Sequence, residues 1–297
     1  MHTPPALKKG DKIGIVSPAG KINKESILPA LNKLHEWGLE IELGKHIFNE
    51  NFQFAGTDED RAADLQKMLD DKSIKLIISA RGGYGMLRII DKLDFKIFSK
   101  HPTWIVGYSD ITVLHAHVHR NYGIETVHAI MANVFDKNEE AVDTLRKALF
   151  NEPLSYRVKS HLLNRKGEGK GEVIGGNLSL LYALSASRSD IDTKGKLLFI
   201  EDLNEYLYHI DRMMMNLKRA GKLKGLAGLV VGGMTDMKDN PNPFGKTAEE
   251  IILEAVAEYN YPVCFNFPAG HIEKNLALVF GREARFSVDD TEVILRY

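Results

Sequence analysis

Short apolar runs alternate with segments of helical periodicity along the first half of the chain. Between residues 24 and 37, apolar positions recur three and four residues apart and stop at Gly38, which predicts an amphipathic helix. Similar patterns predict helices over 57–68, 85–92 and 111–122. The apolar runs predict four strands, at Lys12–Ser17, Leu39–Leu43, Leu76–Ser79 and Thr103–Val106. This alternation is typical of a parallel sheet that is covered by helices on both faces.

The pattern changes between residues 151 and 171, where polar residues, lysines and glycines follow one another without periodicity. We interpret this segment as a linker between an N-terminal α/β domain over 1–150 and a C-terminal domain over 172–297. The C-terminal part is predicted to contain helices at 177–187, 206–220 and 247–259, and strands at 196–201, 226–231 and 263–267. Three closing runs, at 276–280, 284–288 and 292–296, are short and alternating, which predicts antiparallel strands.

Composition narrows the class of protein. The 39 Lys and Arg residues nearly balance the 40 Asp and Glu residues, so the chain lacks the basic excess typical of nucleic-acid-binding proteins. The single cysteine, Cys264, excludes an intrachain disulfide and a multi-cysteine metal site, and its apolar neighbours predict that it is buried. We find no signal-peptide pattern, and the longest apolar stretch, around 226–234, is shorter than the ~20 residues that cross a bilayer. We therefore expect a soluble, cytoplasmic protein with no nucleic-acid or membrane partner and no cofactor.

The sharpest chemical signal is the segment Gly107-Tyr108-Ser109-Asp110. It follows one predicted strand directly and precedes a predicted helix, so Ser109 lies on a tight turn of the kind that exposes a nucleophilic serine. The helix N-terminus would favour developing negative charge, and the backbone N–H of Asp110 is a candidate oxyanion donor. The G-x-S-x-G pattern is incomplete, since Ile111 replaces its last glycine. A simple helix cap is the alternative role for this serine, and the segment alone does not decide between the two.

A second candidate loop is the glycine-rich segment 79–85 (SARGGYG), which follows the third predicted strand. Glycines allow a backbone to approach a ligand closely and to direct its N–H groups towards it. The G-x-G-x-x-G pattern of dinucleotide-binding proteins is absent, and so is a Walker-type phosphate loop. The segment therefore indicates a ligand-facing loop, with a plain turn as the alternative.

A nucleophilic serine needs a base and a group that orients the base. Among the 11 histidines, His271 follows a predicted strand on a loop that contains proline and glycine, and Glu201 ends another predicted strand. The alternatives are an ordinary surface histidine and a helix-start acid. His115, His117 and His119 lie on one predicted helix at a spacing that points them to different faces. We interpret them as packing or surface residues, not as metal ligands.

These residues belong to a set of motifs that occur in the order SPAG (17–20), ARGGYG (80–85), GYSDIT (107–112), GGNLSLL (175–181), IEDLNE (200–205) and PAGH (268–271). Jointly, and over nearly the whole chain, they resemble the LD-carboxypeptidases of the serine peptidase S66 type. The resemblance implies a flavodoxin-like N-terminal α/β domain with a parallel sheet, a C-terminal mixed β/α domain, and an active site at their interface. It assigns Ser109 as nucleophile, Glu201 as orienting carboxylate and His271 as base.

The resemblance further implies a cytoplasmic homodimer that acts in murein recycling and releases the terminal D-alanine from murein tetrapeptides. On this hypothesis, the N–H groups of Asp110 and Gly83 bind the oxyanion, and Arg81 and Tyr84 contact the peptide. Arg81 is a candidate partner for a substrate carboxylate, with an internal ion pair as its alternative role. The chain departs from the family pattern at 203–205 (LNE), where an acidic-Gly-Glu combination is common; this departure concerns local substrate contacts and leaves the three catalytic positions intact.

Two other functions remain open at this point. A microcin-immunity-type serine hydrolase would cleave a peptidyl-nucleotide with the same three residues, but it would need an aromatic side chain to stack on the base. The two tryptophans, Trp37 and Trp104, fall on a predicted helix face and inside a predicted strand, which disfavours this function. A non-catalytic protein that binds a small ligand would use Ser109 and His271 only to line a cleft.

Overall fold

Two β-sheets organise the chain, and the computed structural model describes all of residues 1–297. The strands are β1 Lys12–Val16, β2 Glu40–Leu43, β3 Ile74–Ser79, β4 Trp104–Gly107, β5 Thr126–His128, β6 Ser155–Lys159, β7 Gly167–Asn177, β8 Leu197–Leu203, β9 Gly228–Thr235, β10 Val263–Cys264, β11 Leu278–Phe280, β12 Glu283–Val288 and β13 Glu292–Arg296. The helices are α1 Leu28–Glu36, α2 Asp58–Asp70, α3 Met86–Ile89, α4 Lys96–Lys100, α5 Thr112–Tyr122, α6 Glu139–Leu149, α7 Leu178–Ala183, α8 Leu207–Arg219 and α9 Ala248–Ala255.

The first sheet has the strand order β11-β5-β4-β3-β1-β2. Strands β1 to β5 pair in parallel, and β11 joins β5 in the antiparallel direction. The order of the five parallel strands, 2-1-3-4-5, is that of a flavodoxin-like sheet. In such sheets, ligands bind outside the carboxyl ends of the strands, where the order reverses between β1 and β3. The predicted α/β fold with a parallel N-terminal sheet is confirmed.

The second sheet has the order β10-β9-β8-β7-β12-β13-β6. Strands β7 to β10 are parallel, whereas β12, β13 and β6 are antiparallel, so the sheet is mixed as predicted. The closing antiparallel strands are also confirmed, although β11 belongs to the first sheet. The C-terminal part of the chain therefore completes the N-terminal sheet.

The segment 151–171 is not the irregular linker that we predicted. It contains β6, which pairs with β13, and the first half of β7, which pairs with β12. The glycines of β7 are required by close packing, because a Cβ at Gly169 would lie 2.0 Å from the carbonyl oxygen of Ala227. The polar residues between these glycines lie on the exposed face of the strand. The sequence therefore lacks the alternation of apolar and polar residues by which a strand is normally recognised. The division into domains over 1–150 and 172–297 stays a prediction.

Several elements differ from the predictions in extent. The helix predicted over 24–37 starts with a short 3₁₀ turn, Glu25–Ile27, and the strand predicted over 263–267 keeps only two residues in β10. Elements β5, α4 and α6 were not predicted. Helix α6 carries a local signal, since the Asn138 side chain accepts the N–H of Ala141 and apolar residues recur along the helix. The capping box of Thr57 and Asp60 at α2 is confirmed.

Buried side chains agree with the interpretation of the isolated cysteine and of the histidine run. Cys264 is completely buried, and burial raises the pKa of its thiol to about 12. His115 and His117 are buried packing residues on α5. None of the helices has the length and apolar character that crossing a bilayer requires.

We predict that Gly169→Ala destabilises the protein by about 2–3 kcal/mol, because the new methyl group overlaps the carbonyl of Ala227. The matched control is Gly245→Ala, where no atom lies within 4 Å of the new Cβ and only the φ of 84° is unfavourable, at about 1 kcal/mol. Urea denaturation of both variants measures the difference. Equal decreases in the free energy of unfolding for the two variants would show that Gly169 is not needed for close packing.

Candidate active site

Ser109 lies directly after β4, on the turn that leads into α5. Its φ is 61°, in the left-handed region that non-glycine residues rarely adopt. Neighbouring glycines make this turn sterically accessible, since a Cβ at Gly82 would lie 3.1 Å from Ser109 Oγ and one at Gly107 would lie 2.8 Å from Ile111. This backbone conformation costs of the order of 1–2 kcal/mol. The turn places the Ser109 hydroxyl outside the carboxyl edge of the first sheet.

The structure brings the three sequence-predicted residues into one hydrogen-bonded chain. His271 Nε2 lies 3.0 Å from Ser109 Oγ, and His271 Nδ1 lies 2.6 Å from Glu201 Oε2. This arrangement suits a neutral imidazole that donates its Nδ1–H to the carboxylate and accepts the serine O–H at Nε2. The strand ends of β4 and β8 and the loop after β10 supply one residue each, so the site lies between the two sheets.

Glu201 is completely buried at the carboxyl end of β8, and other groups hold it in place. The backbone N–H of His271 donates to Glu201 Oε2 at 3.0 Å, in addition to the ring bond. A Cβ at Gly270 would lie 2.7 Å from the Glu201 side chain, so the carboxylate packs directly against this backbone. Thr235 Oγ1 donates to the carbonyl oxygen of His271 at 2.8 Å and fixes the other side of the loop. The imidazole is therefore held at its backbone and at its ring.

A second carboxylate and an amide extend the network, and the sequence reasoning missed both. Asn177 Nδ2 donates to Asp202 Oδ1 at 2.9 Å and lies 3.4 Å from Glu201 Oε1. The backbone N–H of Asn177 donates to Thr112 Oγ1 at 2.9 Å, three residues after Ser109. Asn177 therefore links the helix that follows the serine to the carboxylate that faces the histidine. Its place in the GGNLSLL motif is the signal that could have identified it.

The electrostatic environment raises the pKa of the His271 imidazole. Burial lowers the pKa of His271, but the hydrogen bond to Glu201 and the negative charges of Glu201 and Asp202 raise it more, so it lies above its ordinary value. Burial and the neighbouring charge of Glu201 raise the pKa of the Asp202 carboxyl to about 6. The negative charges of Glu201 and Asp202 therefore stabilise an imidazolium that forms at His271 during a reaction.

The side chain of Asp110 ties the two candidate loops together. Its Oδ2 accepts the backbone N–H of Met86 at 2.7 Å, and burial raises the pKa of its carboxyl to about 6. The backbone N–H groups of Gly83 and Asp110 donate no hydrogen bond within the protein. Two free donors therefore lie on the loops that flank Ser109, as oxyanion binding requires.

Arg81 and Tyr84 occupy the exposed side of the glycine loop. The guanidinium of Arg81 donates to the carbonyl oxygen of Lys21 at 3.0 Å and forms no ion pair within the protein. The Tyr84 ring is 46% exposed and packs against Phe54, with 6.1 Å between the ring centroids. Both side chains are accessible to a ligand.

Comparison with known proteins identifies the family. Residues 13–129 match the LD-carboxypeptidase N-terminal domain family, and residues 170–286 match the LD-carboxypeptidase C-terminal domain family. A probable murein peptide carboxypeptidase of Bacillus subtilis (strain 168) is 36% identical over 301 aligned residues, which cover 99% of this chain and 94% of that protein. The chain belongs to the LD-carboxypeptidase family. Family membership makes it a carboxypeptidase-type hydrolase.

Solved structures share the fold of this LD-carboxypeptidase family member. The crystal structure of muramoyltetrapeptide carboxypeptidase from Oxalobacter formigenes superposes with a TM-score of 0.87 at 24% identity and covers 96% of this chain and 98% of that chain. The microcin C7 self immunity protein MccF, in its wild-type apo state, superposes with a TM-score of 0.87 at 20% identity and covers 98% and 97% of the respective chains. At these identities the likeness concerns the fold alone.

We predict that Glu201→Gln lowers the pKa of His271 below its wild-type value, because burial remains while the stabilising charge is lost. Titration of the imidazole nitrogens by NMR measures the shift. The control is Glu273→Gln, which removes an exposed carboxylate from the same loop and should change the His271 pKa little, since solvent screens that charge. The same His271 pKa in wild type and Glu201→Gln would contradict the electrostatic role of Glu201.

Proposed function

We propose that this protein is a serine L,D-carboxypeptidase that releases the terminal D-alanine from murein tetrapeptides. The observation that carries the proposal is the hydrogen-bonded chain Ser109–His271–Glu201 in a member of the LD-carboxypeptidase family. Such a chain is the arrangement with which serine hydrolases activate a hydroxyl group. The Bacillus subtilis relative is a probable murein peptide carboxypeptidase, and its similarity to this chain supports a murein peptide as substrate.

The first half of the reaction forms an acyl-enzyme. Ser109 Oγ attacks the carbonyl carbon of the third residue of the peptide, diaminopimelate or lysine, while His271 Nε2 takes the hydroxyl proton. Glu201 keeps the Nδ1–H tautomer and stabilises the imidazolium. The oxyanion accepts hydrogen bonds from the N–H groups of Gly83 and Asp110, and one such donor contributes about 2.7–4 kcal/mol.

The second half returns the enzyme to its starting state. His271 gives its proton to the nitrogen of the departing D-alanine, and the carbon–nitrogen bond breaks. A water molecule then loses a proton to His271 and attacks the ester carbonyl, and the proton returns to Ser109 Oγ as the peptide acid leaves. Every proton moves between Ser109, His271, water and substrate.

The further expectations of the sequence stay predictions that accompany this proposal. They include the cytoplasmic location, the role in murein recycling, the homodimer, and the substrate contacts of Arg81 and Tyr84. The exposed positions of both side chains beside Ser109 are compatible with peptide contacts.

The microcin-immunity-type function has less support, although the fold is shared. Trp104 is 1% exposed inside β4, and Trp37 packs against Phe135 and Phe150 with ring centroids 6.3 and 6.1 Å away. Neither tryptophan can stack on a base at Ser109. The hydrogen-bonded Ser109 also disfavours the non-catalytic function, because a binding cleft does not need an activated hydroxyl or a strained turn.

We predict that Ser109→Ala lowers kcat for D-alanine release by roughly 10⁴–10⁶-fold, as expected when nucleophile and base act as a unit. The measurement is enzymatic detection of D-alanine from a defined tetrapeptide. The control is Ser99→Ala, an exposed serine on α4, which should keep wild-type activity. Release at the wild-type rate by Ser109→Ala would overturn the mechanism.

A fluorophosphonate probe should label wild type and not Ser109→Ala, because only an activated serine reacts with it. Wild type should also hydrolyse the tetrapeptide with a higher kcat/KM than a peptidyl-nucleotide. Labelling together with preference for the peptidyl-nucleotide would favour the microcin-immunity-type function. Binding of either compound without labelling would favour the non-catalytic function.

A further inference from the structure

A small polar cavity of about 200 Å³ opens at the carboxyl edge of the first sheet. Its walls come from the segments that follow β1 and β2 and from the loops that follow β3 and β5, including Lys21, Glu50, Arg81 and Asn133. It therefore lies at the reversal of strand order between β1 and β3, where sheets of this topology bind their ligands.

The glycine loop that contributes Arg81 to the cavity also packs against the candidate nucleophile. Gly82 follows Arg81 directly, and a Cβ on Gly82 would lie 3.1 Å from Ser109 Oγ. The backbone N–H of Gly20 donates to the carbonyl oxygen of Gly82 at 3.0 Å, which joins the loop after β1 to the glycine loop. One loop therefore both lines the cavity, through Arg81, and contacts the serine turn, through Gly82.

Two polar groups of the cavity lack the hydrogen-bond or ion-pair partner that their chemistry calls for. The Arg81 guanidinium has one hydrogen bond, to the carbonyl oxygen of Lys21, and no carboxylate. The nearby ammonium of Lys21 is already neutralised by Glu50 at 2.7 Å. Asn133 Oδ1 is buried and accepts no hydrogen bond. A buried acceptor without a donor is costly, so a ligand that donates to it gains affinity.

The unmet groups match the C-terminal residue of a peptide. Such a residue carries a carboxylate, which a guanidinium binds in a bidentate manner, and an amide N–H, which an asparagine oxygen accepts. The volume also fits one small residue, because it is below the ~300–1,000 Å³ of pockets that enclose larger ligands. A peptide with more than one residue after the scissile bond would not fit inside the cavity.

We propose that this cavity is the subsite for the departing C-terminal residue, in which Arg81 binds the free carboxylate and Asn133 accepts the N–H of the scissile amide. The inference rests on the proposed function and adds the reason why the enzyme cleaves only at a free C-terminus. It assigns Arg81 as the residue that distinguishes a terminal carboxylate from a peptide that continues.

The test compares a tetrapeptide that has a free C-terminal carboxylate with the same peptide as its C-terminal amide. Wild type should hydrolyse the acid with the higher kcat/KM. Arg81→Met removes the charge at similar side-chain length, and it should lower kcat/KM for the acid about 10–100-fold more than kcat/KM for the amide, so that the preference for the acid is lost. Arg120→Met, on an exposed arginine in the last turn of α5, is the matched control and should keep the wild-type preference.

Binding to the inactive Ser109→Ala protein gives a second readout by calorimetry. The acid should bind more tightly than the amide, and Ser109→Ala/Arg81→Met should bind both alike. Asn133→Leu in the active protein should lower kcat/KM for acid and amide by similar factors, because both peptides carry the amide N–H; wild-type values in this variant would overturn the role of Asn133.

The outcomes separate this inference from the proposed function. If wild type releases D-alanine and Arg81→Met keeps the preference for the acid, the subsite is wrong and the proposed function stands. If wild type hydrolyses neither peptide, the proposed function is wrong and the subsite falls with it.

Discussion

The carboxylate of Glu201 is completely buried, and a buried charge is tolerated only where hydrogen bonds and an opposite charge replace its lost hydration. Its partners here are the ring and the backbone N–H of His271, with the amide of Asn177 close by. The need to satisfy this one group determines the position of the loop after β10. It therefore also determines where the imidazole meets Ser109.

The serine side of the site depends on a different constraint, which is close packing of backbone. Ser109 keeps a φ of 61° because β4 and α5 are both anchored in the core and leave the turn no relaxed alternative. Gly82 and Gly107 remove the side chains that would collide with the turn and with Ile111. Asp110 then joins this turn to the start of α3 through the N–H of Met86. The strained serine turn and the glycine loop are thus held together by this hydrogen bond and by the packing of Gly82 against Ser109.

Contacts between the two sheets connect these halves. Strand β11 comes from the end of the chain and pairs with β5 of the first sheet. The hydroxyl of Thr112 accepts the N–H of Asn177, and a Cβ at Gly176 would lie 2.5 Å from that hydroxyl oxygen. The spacing between nucleophile and base is therefore maintained by contacts on both sides of the site. A change that destabilises this junction would alter the distance between Ser109 and His271 and would thereby impair catalysis.

Local patterns in the sequence determined the parallel α/β class, the capped helix α2, the buried cysteine and the strand-end positions of Ser109, Glu201 and His271, because these properties depend on periodicity and on neighbouring residues. Only the tertiary structure shows the features that depend on contacts between residues far apart in the sequence. Strand β7 has no apolar alternation in its first half, since glycines face the core there, and its assignment needs the pairing with β12. Ser109 and His271 are 162 residues apart, and His271 and Glu201 are 70 apart. Contact over such separations follows only from the packing of the two sheets, and the polar cavity lined by Arg81 likewise follows only from tertiary structure.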